Sequence, residues 1–579
     1  MHHGQALSPV ICCGMKPLLG LSFARRHRRV ASAVGAAVGV ALVGGLLVQT
    51  GLLTAGTSSN PTSGPSLVGQ PAASTSPTPS ASSPASPNPS PTSRPTAAPT
   101  PTPATYAMPI VPVESFWSVP ASLGFEDLSR FWSGALGKLG STSGGPTFTA
   151  LAVASADLPG LTQFFGEAPG AGVRALAVDA VKSVVSGSPT TLGLLEADDV
   201  TPNVRALAID GAELFGSSHV PDISAWRLKI LSNTPSALAT DGVWTLAAGG
   251  DVNLDRRVYV RAVADHMGPD YPWLGGTARI SGYECCDLFG GGIVRAKSRS
   301  PGDAFRSRFA NADLALVNLE GSAPNDYVYR PNSLVFTFDP ELLAGIKDAG
   351  IDMVSLANNH IRNGGDQGIL DTIANLDKVG LAHTGAGATP EEATRPVWLS
   401  AGGRKIAVLA YSAISPANWV TDSHPGAAPL KKDAVVADIA AAKGAGADVV
   451  IVVPHWGQEF SYALSAAQKS EAAAFVAAGA DLVLGSHSHW VGGVQELAGD
   501  NGTAFVDYSM GDLMFDLNHD SESLEAEVVT LTFVGRRLAQ VRLDPTVMID
   551  GAQVGLLDPA TDGKRVIDAI RIASRKLGW

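Results

Sequence analysis

The sequence predicts an α/β protein with two folded domains, carried on one membrane helix and a disordered spacer. Three observations lead to that class. From about residue 106 onward, short apolar runs alternate with helical stretches. Near the N-terminus a basic cluster precedes an uncharged apolar span. Between the two lies a stretch made almost wholly of Pro, Ser, Thr and Ala.

Length and composition set the outer bounds. The chain has 579 residues, 45% hydrophobic and 16% charged. That is more than one average domain and too apolar to be disordered throughout. Four Cys in this length exclude a disulfide-stapled scaffold. The formal charge is −12, and it is unevenly spread. Lys16, Arg25, Arg26, Arg28, Arg29 and Arg94 all precede the first acid, Glu114, so the remainder carries 35 Lys and Arg against 53 Asp and Glu. An acidic body of this kind excludes general nucleic-acid binding, which needs clustered cations to neutralise phosphates.

Residues 1–29 form a basic leader ending in Arg25-Arg26-His27-Arg28-Arg29, and residues 30–53 are rich in Ala, Val, Leu and Gly. A helix needs about 20 apolar residues to cross the hydrocarbon core. The Arg cluster stays cytoplasmic by the positive-inside rule, which places the bulk of the chain outside the cell as a single-pass membrane protein. Thr54-Ala55-Gly56 is a poor small-x-small cleavage site, which favours an anchor; as a cleaved signal segment the same span would leave the chain secreted. Residues 54–105 are the linker. Thr57 to Thr105 holds 13 Pro and one charge, Arg94, and cannot bury a core. At about 3 Å per residue in extended form, such a spacer reaches on the order of 100 Å from the bilayer.

Residues 106–240 read as a small α/β domain. Ala150 to Ala154 and Arg205 to Ile209 have strand character, and Val173 to Val185 has helical character. Thr190 to Leu195 followed by Val204 to Gly211 resembles a stretch of phosphate-binding type II periplasmic binding proteins. The alternative is a docking domain without a ligand. No constellation of His, Cys or paired carboxylates suggests catalysis here.

Residues 241–579 carry the chemistry. Five apolar strands each end in residues with metal-ligand character: Asp251 and Asn253; Asn318 and Glu320; Asn358, Asn359 and His360; His455 and Glu459; His487 and His489. In α/β sheets ligands gather beyond the carboxyl ends of strands, so the five ends offer their donors to one face. Carboxylate and amide oxygens with neutral imidazoles suit Zn, Mn, Fe or Ca. If extended, His487 and His489 point the same way and reach one metal pair together. A carboxylate such as Asp251 can bridge two cations. Two cations about 3.5–4 Å apart activate a water and steady both oxygens of an in-line displacement. Each piece alone has a plainer reading: a capping Asn, a helix N-cap at Asp251, a packed His455-Trp456 pair. Their recurrence at one kind of junction is what favours a shared site.

Gly250-Asp251, Val317-Asn-Leu-Glu320, Ala357-Asn-Asn-His360, His455-Trp-Gly-x-Glu459, Gly479-Ala-Asp-x-Val-x-Gly-x-His-x-His489 and Tyr508-Ser-x-Gly-x-x-x-Phe-Asp516 occur in that order. The set resembles the CapA family, poly-γ-glutamate capsule synthesis proteins with a calcineurin-like metallophosphatase fold. The resemblance implies a four-layer α/β/β/α sandwich with the site between sheet edges. It implies two divalent ions, Mn, Zn or Fe, held by Asp251, Asn253, Glu320, Asn359, His455, His487 and His489. Asp251 would be the bridging ligand and, with His360 as general acid, would carry the catalysis. Asn318, Asn358, Glu459, Asp512 and Asp516 would serve as substrate contacts or ligand supports. Three positions depart from the family pattern: Asn363 where Asp is frequent, Asp512 where Asn is usual, and Ser488 where Pro is usual.

The function implied is extracytoplasmic work on an anionic surface polymer such as poly-γ-glutamate, in its synthesis, transfer or anchoring, alongside a polymer-synthesis complex. Two alternatives stand: an envelope metallophosphoesterase on small phosphate esters, and a non-catalytic wall-associated scaffold. Outside the motifs, Cys285-Cys286 read as a packed or free pair, because a bond between neighbours is geometrically demanding. Residues 282–292 read as an excursion over the site, 422–426 as a cleft loop carrying His424, and 564–576 as a closing amphipathic helix.

Overall fold

The computed structural model describes residues 105–579 apart from Ser143, Leu288 and Asn332. The leader, the apolar span 30–53 and the spacer up to residue 104 lie outside the described residues. Among the described residues no helix is long and apolar enough to cross a membrane.

The first sheet uses β1 (Tyr106–Ser115), β2 (Ala150–Ala154), β3 (Val173–Leu176), β4 (Thr191–Glu196), β5 (Val204–Ala206) and β6 (Lys229–Ser232). Its order is β6-β1-β4-β2-β3, with β5 also pairing with β1. The run from Val173 splits where the sequence predicts one helix: it starts as β3 and turns helical only over Val178–Ser186. Leu151, Val153, Leu192 and Leu194 fill this sheet's core, together with Val181 and Val185 from that helix. One charged pair is sealed inside: Arg205 donates Nη2 to Glu114 Oε1 at 3.0 Å, with both side chains buried. The same core takes in Val534 and Ala539, and the Ala206 amide donates to Gln540 Oε1 at 2.8 Å. The small sheet is therefore seated on a hairpin of the larger part of the chain.

That larger part contains two large sheets, besides a two-stranded one that pairs Ala386–Gly387 with Gly426–Ala427. The nine-stranded one is built from β7 (Val243–Val252), β8 (Thr277–Cys285), β9 (Gly292–Ser300), β10 (Leu314–Leu319), β11 (Met353–Ser355), β12 (Ala382–Thr384), and, later in the chain, Glu525–Val534, Arg537–Ile549 and Gln553–Leu556. Strands β7, β10, β11 and β12 are parallel neighbours in that order, and β9 is the free edge at the far end. The six-stranded sheet uses β13 (Val397–Ala401), β14 (Arg404–Ser412), β15 (Val449–His455), β16 (Leu482–Leu484), β17 (Val494–Gly499) and β18 (Gly502–Asp507), ordered β13-β14-β15-β16-β18-β17.

Strand periodicity explains how the two sheets meet. Ile406, Val408 and Ala410 of β14 and Ile451 and Val453 of β15 share one core with Leu246 and Ala248 of β7. The alternate residues Ala407, Leu409, Tyr411, Val450 and Val452 join a second core with Val435, Ile439, Phe475 and Val476. Those four lie on helices Lys432–Gly444 and Ala466–Ala477. The six-stranded sheet is thus apolar on both faces, as its four parallel middle strands, covered on either side, require. Helix Ala466–Ala477 starts at a capping box between Ser465 and Gln468, which satisfies two otherwise orphaned amides. The amphipathic tail helix runs Lys564–Arg575 and buries Val566, Ile570 and Ala573.

Cys285 and Cys286 differ from the sequence reading. They are joined by a disulfide across a cis peptide, with Cα atoms 3.0 Å apart, at the tip of the β8–β9 hairpin.

Candidate metal centre

Six strand ends converge, three from each sheet. Strand β7 delivers Asp251, β10 delivers Asn318 and Glu320, and the turn after β11 delivers Asn358, Asn359 and His360. From the facing sheet, β15 ends on His455, the turn after β16 carries His487 and His489, and the turn after β18 carries Asp512. Local sequence makes the approach feasible. The register between β7 and β10 slips at Gly249/Asp251. A Cβ on Gly250 would fall 1.9 Å from the Gly511 carbonyl oxygen, so only glycine lets the two loops touch. The Asp251 amide then donates to Gly511 O at 3.0 Å, tying the sheets together at the site.

Two overlapping donor clusters result. One donor atom each from Glu320, His455 and His487 lies within 4.8 Å of the others, and the same holds for Asp251, Glu320, His489 and Asp512. Glu320 belongs to both. It is fully buried, and neither carboxylate oxygen has a hydrogen-bond partner. Asp512 Oδ2 and Asn318 Oδ1 are also buried without partners. Unpartnered buried oxygens facing imidazoles are costly unless a cation answers them, so the donor set fits divalent ions.

Neighbours fix the ligand orientations. Asp251 Oδ1 accepts from Asn318 Nδ2 at 2.6 Å, and Oδ2 accepts from the His487 amide at 3.0 Å. His455 Nδ1 meets Ser486 Oγ at 2.9 Å, while Nε2 faces Asn359 Oδ1 at 2.7 Å, His487 Nδ1 at 3.1 Å and Glu320 Oε1 at 3.5 Å. With its proton on Nδ1, directed to Ser486, His455 presents the Nε2 lone pair to the centre. Electrostatics agree. Burial pushes Asp251 up to about 6, and the nearby Glu320 charge adds to this. Burial likewise raises Glu320 and Asp512, with His489 opposing. Burial pulls His455 down to about 4 and lowers His487, so both are neutral donors. Burial also works against charge on His489, but Asp512, at 2.9 Å from Nδ1, with Glu320 and Asp251 lifts it to about 10. Three buried carboxyls with a single cationic imidazole leave room for added positive charge.

The remaining sequence candidates divide. His360 lies beside the shared carboxylate, Nε2 to Glu320 Oε1 3.9 Å, with Nδ1 held at 2.9 Å by Asn363 Oδ1. Asn359 touches the centre through His455. Asn253 does not offer its amide: Nδ2 donates to Glu320 O at 2.9 Å and Oδ1 accepts from the Asp255 amide at 3.0 Å. Asn358 is similarly occupied by Leu319 O and the His360 amide. Asp516 accepts from Arg256 and from the Arg257 amide. Glu459 is exposed. His424 bonds to Arg362 in a side loop. His487 and His489 are not on an extended strand, because β16 stops at Leu484. Both take left-handed backbone, φ 91° and 61°, and they go to different clusters. Sequence reasoning missed Ser486 and the aromatic wall formed by Phe336 on His360, and by Phe460 and Phe515 on His489. Ser486 lies one residue before His487 and was open to notice; the wall comes from three separate loops and left no local signal.

Residues 245–517 match the family model described as bacterial capsule synthesis protein PGA_cap. The capsule biosynthesis protein CapA of Bacillus anthracis is 31% identical over 180 residues, 30% of this chain and 43% of that one. The PGA biosynthesis protein CapA of Bacillus subtilis (strain 168) is 32% identical over 212 residues, 36% of this chain and 54% of that one. The chain thus spans about half the length of these relatives. Among solved structures, the calcineurin-like phosphoesterase YfkN from Bacillus subtilis aligns at 12% identity and TM-score 0.26, covering 58% of this chain and 97% of that one. Residues 245–517 are thus similar to bacterial capsule synthesis proteins, the CapA family that the six ordered motifs resemble.

Proposed function

We propose that this protein acts outside the cell on an anionic surface polymer such as poly-γ-glutamate, in its synthesis, transfer or anchoring, through a two-cation hydrolase-type site. In this reading the catalytic domain is a four-layer α/β/β/α sandwich, tethered by the span 30–53 and held off the membrane by the spacer. The observation that carries it is Glu320, buried, unpartnered and common to both donor clusters. His455, His487 and Asn359 would hold one ion with Glu320; Asp251, His489 and Asp512 would hold the other. Bound divalent ions supply Lewis-acid charge and lower the pKa of a nucleophilic water. The chain's own residues do the rest. Asn318 and the His487 amide fix Asp251. Asn363 accepts from His360 Nδ1–H, which leaves Nε2 facing Glu320 as the atom that can carry a proton to a leaving group. Phe336, Phe460 and Phe515 wall the two histidines with apolar rings, which strengthens local electrostatics. The relatives' names, capsule biosynthesis and PGA biosynthesis, support the choice of polymer.

Elemental analysis of the full chain tests the centre, with about two equivalents of divalent metal expected. Polymer cleavage or transfer that disappears in His360→Ala, with metal content retained, supports the polymer reading. Turnover of small phosphate esters alone favours an envelope phosphoesterase. Metal without any turnover leaves a wall-associated scaffold.

A further inference from the structure

The β8–β9 hairpin reverses the charge of the molecule around it. Residues 277–300 hold Arg279, Arg295, Lys297 and Arg299 against Glu284 and Asp287, whereas the chain from Glu114 onward holds 35 Lys and Arg against 53 Asp and Glu. Strand geometry sorts these residues by face. Ala278, Val294 and Ala296 are buried in the central core, so the alternate positions point outward. Arg295, Lys297 and Arg299 therefore project from one face of β9, and Arg279 stands directly opposite Lys297 on β8. All four are exposed. Arg295 pairs with Glu284. Arg279, Lys297 and Arg299 have no ion pair or side-chain hydrogen bond among the described residues. Successive cations on β9 are two residues apart, roughly 6.6–6.8 Å along a strand.

The ribbon is fixed in place. The Ile280 amide donates to Asp562 Oδ2 at 2.8 Å and the Val294 amide to Ser521 Oγ at 2.8 Å. Its tip reaches the centre: Phe289 sets its ring 6.0 Å from Trp490, the residue after His489. The ribbon's axis thus runs from the free cations at its base, past the Arg295–Glu284 pair, to a tip that packs beside the centre.

We propose that the outer face of the β8–β9 ribbon, through Arg279, Lys297 and Arg299, is the track on which a linear polycarboxylate chain is bound and led to the metal centre. The inference rests on the anionic-polymer reading and adds where that polymer docks. The chain from Glu114 onward is net acidic, so a local excess of unpaired cations on the ribbon favours a polyanion there over the average surface. The cations form a line along two strands, which suits a single extended chain. The aromatic tip packs onto Trp490 beside the centre, so the ribbon's axis points toward the site.

The test is binding of fluorescently labelled poly-γ-glutamate to the full chain at about 0.05 M and about 0.5 M salt, which bracket strong and weak screening. The triple variant Arg279→Glu, Lys297→Glu, Arg299→Glu should weaken binding by about tenfold or more at low salt, a gap that closes at high salt. The matched triple Lys431→Glu, Lys432→Glu, Lys469→Glu, exposed cations on the far helices, changes net charge equally and should bind within about twofold of the parent. If the first triple does not fold, Arg279→Gln, Lys297→Gln, Arg299→Gln replaces it, with a smaller loss in the same direction. Unchanged binding in the ribbon variants, equal loss in both triples, or ribbon-dependent binding to anionic lipid vesicles but not to polymer overturns the proposal. Metal content separates the two readings. His487→Ala should lose metal and keep polymer binding. A ribbon variant with full metal and full polymer affinity sinks the track and leaves the centre standing.

Discussion

Glu114 and Glu320 are both fully buried near the end of a strand, and burial raises both, Glu114 to about 7. They differ in company. Glu114 shares the small sheet's core with Arg205, which gives it two hydrogen bonds through Nε and Nη2. Glu320 has no guanidinium or ammonium in reach; its neighbours are His455, His360 and the members of two donor clusters. A buried acid with a fixed cationic partner is part of the scaffold. A buried acid whose cationic neighbour, His489, is shared with two other buried carboxyls leaves negative charge that an added cation can answer. The contrast assigns structure to the first region and chemistry to the second.

The largest expected effect breaks the contrast at its centre. Glu320→Gln removes the charge and one of the two oxygens of the residue that both clusters use, so metal affinity should fall by at least about 100-fold, read by calorimetry and elemental analysis. Glu114→Gln should leave metal content unchanged. Equal metal loss in the two variants would erase the distinction.

Next is the scaffold pair. Arg205→Met leaves Glu114 buried and alone, and should destabilise the fold by about 3–5 kcal/mol in urea unfolding near pH 8. With Arg205 gone, Glu114 is pushed above the value of about 7 that it has beside the guanidinium, so the loss should shrink as falling pH lets the carboxyl take up a proton. The double change Glu114→Leu, Arg205→Met should recover most of the stability.

Smaller, and opposite in sign to the usual carboxylate, is the pH response of the metal-free chain. Asp251 is raised from 3.8 to about 6, so over that window the folded state holds its proton more tightly than the unfolded state does. Stability from this group is therefore present at low pH and falls as pH rises toward 6. Thermal melts of the metal-free chain against metal-free Asp251→Asn should show the difference, and added divalent metal should reverse it. A gain in relative stability with rising pH would contradict the assignment.

The smallest change sharpens His360. Asn363→Asp places a carboxylate on Nδ1, so the imidazole pKa should move up by on the order of one pH unit, read from its ring proton in NMR titration. No movement would mean that the 2.9 Å contact does not govern this ring.

The convergence of candidate donors was legible because each follows a buried strand, and apolar runs ending in polar residues are visible without coordinates. Which carboxylate is shared was not legible. The sequence reading puts the bridge at Asp251, yet Glu320 is the residue common to both clusters. The reason is strand order: β10 lies between β7 and β11, so the donor leaving its end stands midway. Asn253 and Asn358 look like ligands by type, but short polar side chains in tight turns bond to nearby backbone. Asp512, read as a substrate contact or ligand support, stands within the second cluster with His489. The ribbon's cations escaped notice because their alignment depends on knowing which face of β9 is covered.

The left-handed backbone at His487 and His489 has a consequence for anyone trying to harden this protein. Non-glycine residues there cost about 1–2 kcal/mol each, so the fold holds strain at two of its candidate ligands. Glycine would relieve that strain, but at His489 it would also strand the buried Asp512 carboxyl, whose Oδ1 bonds to that imidazole. Hardening the protein at these positions therefore exchanges one cost for another and discards a donor.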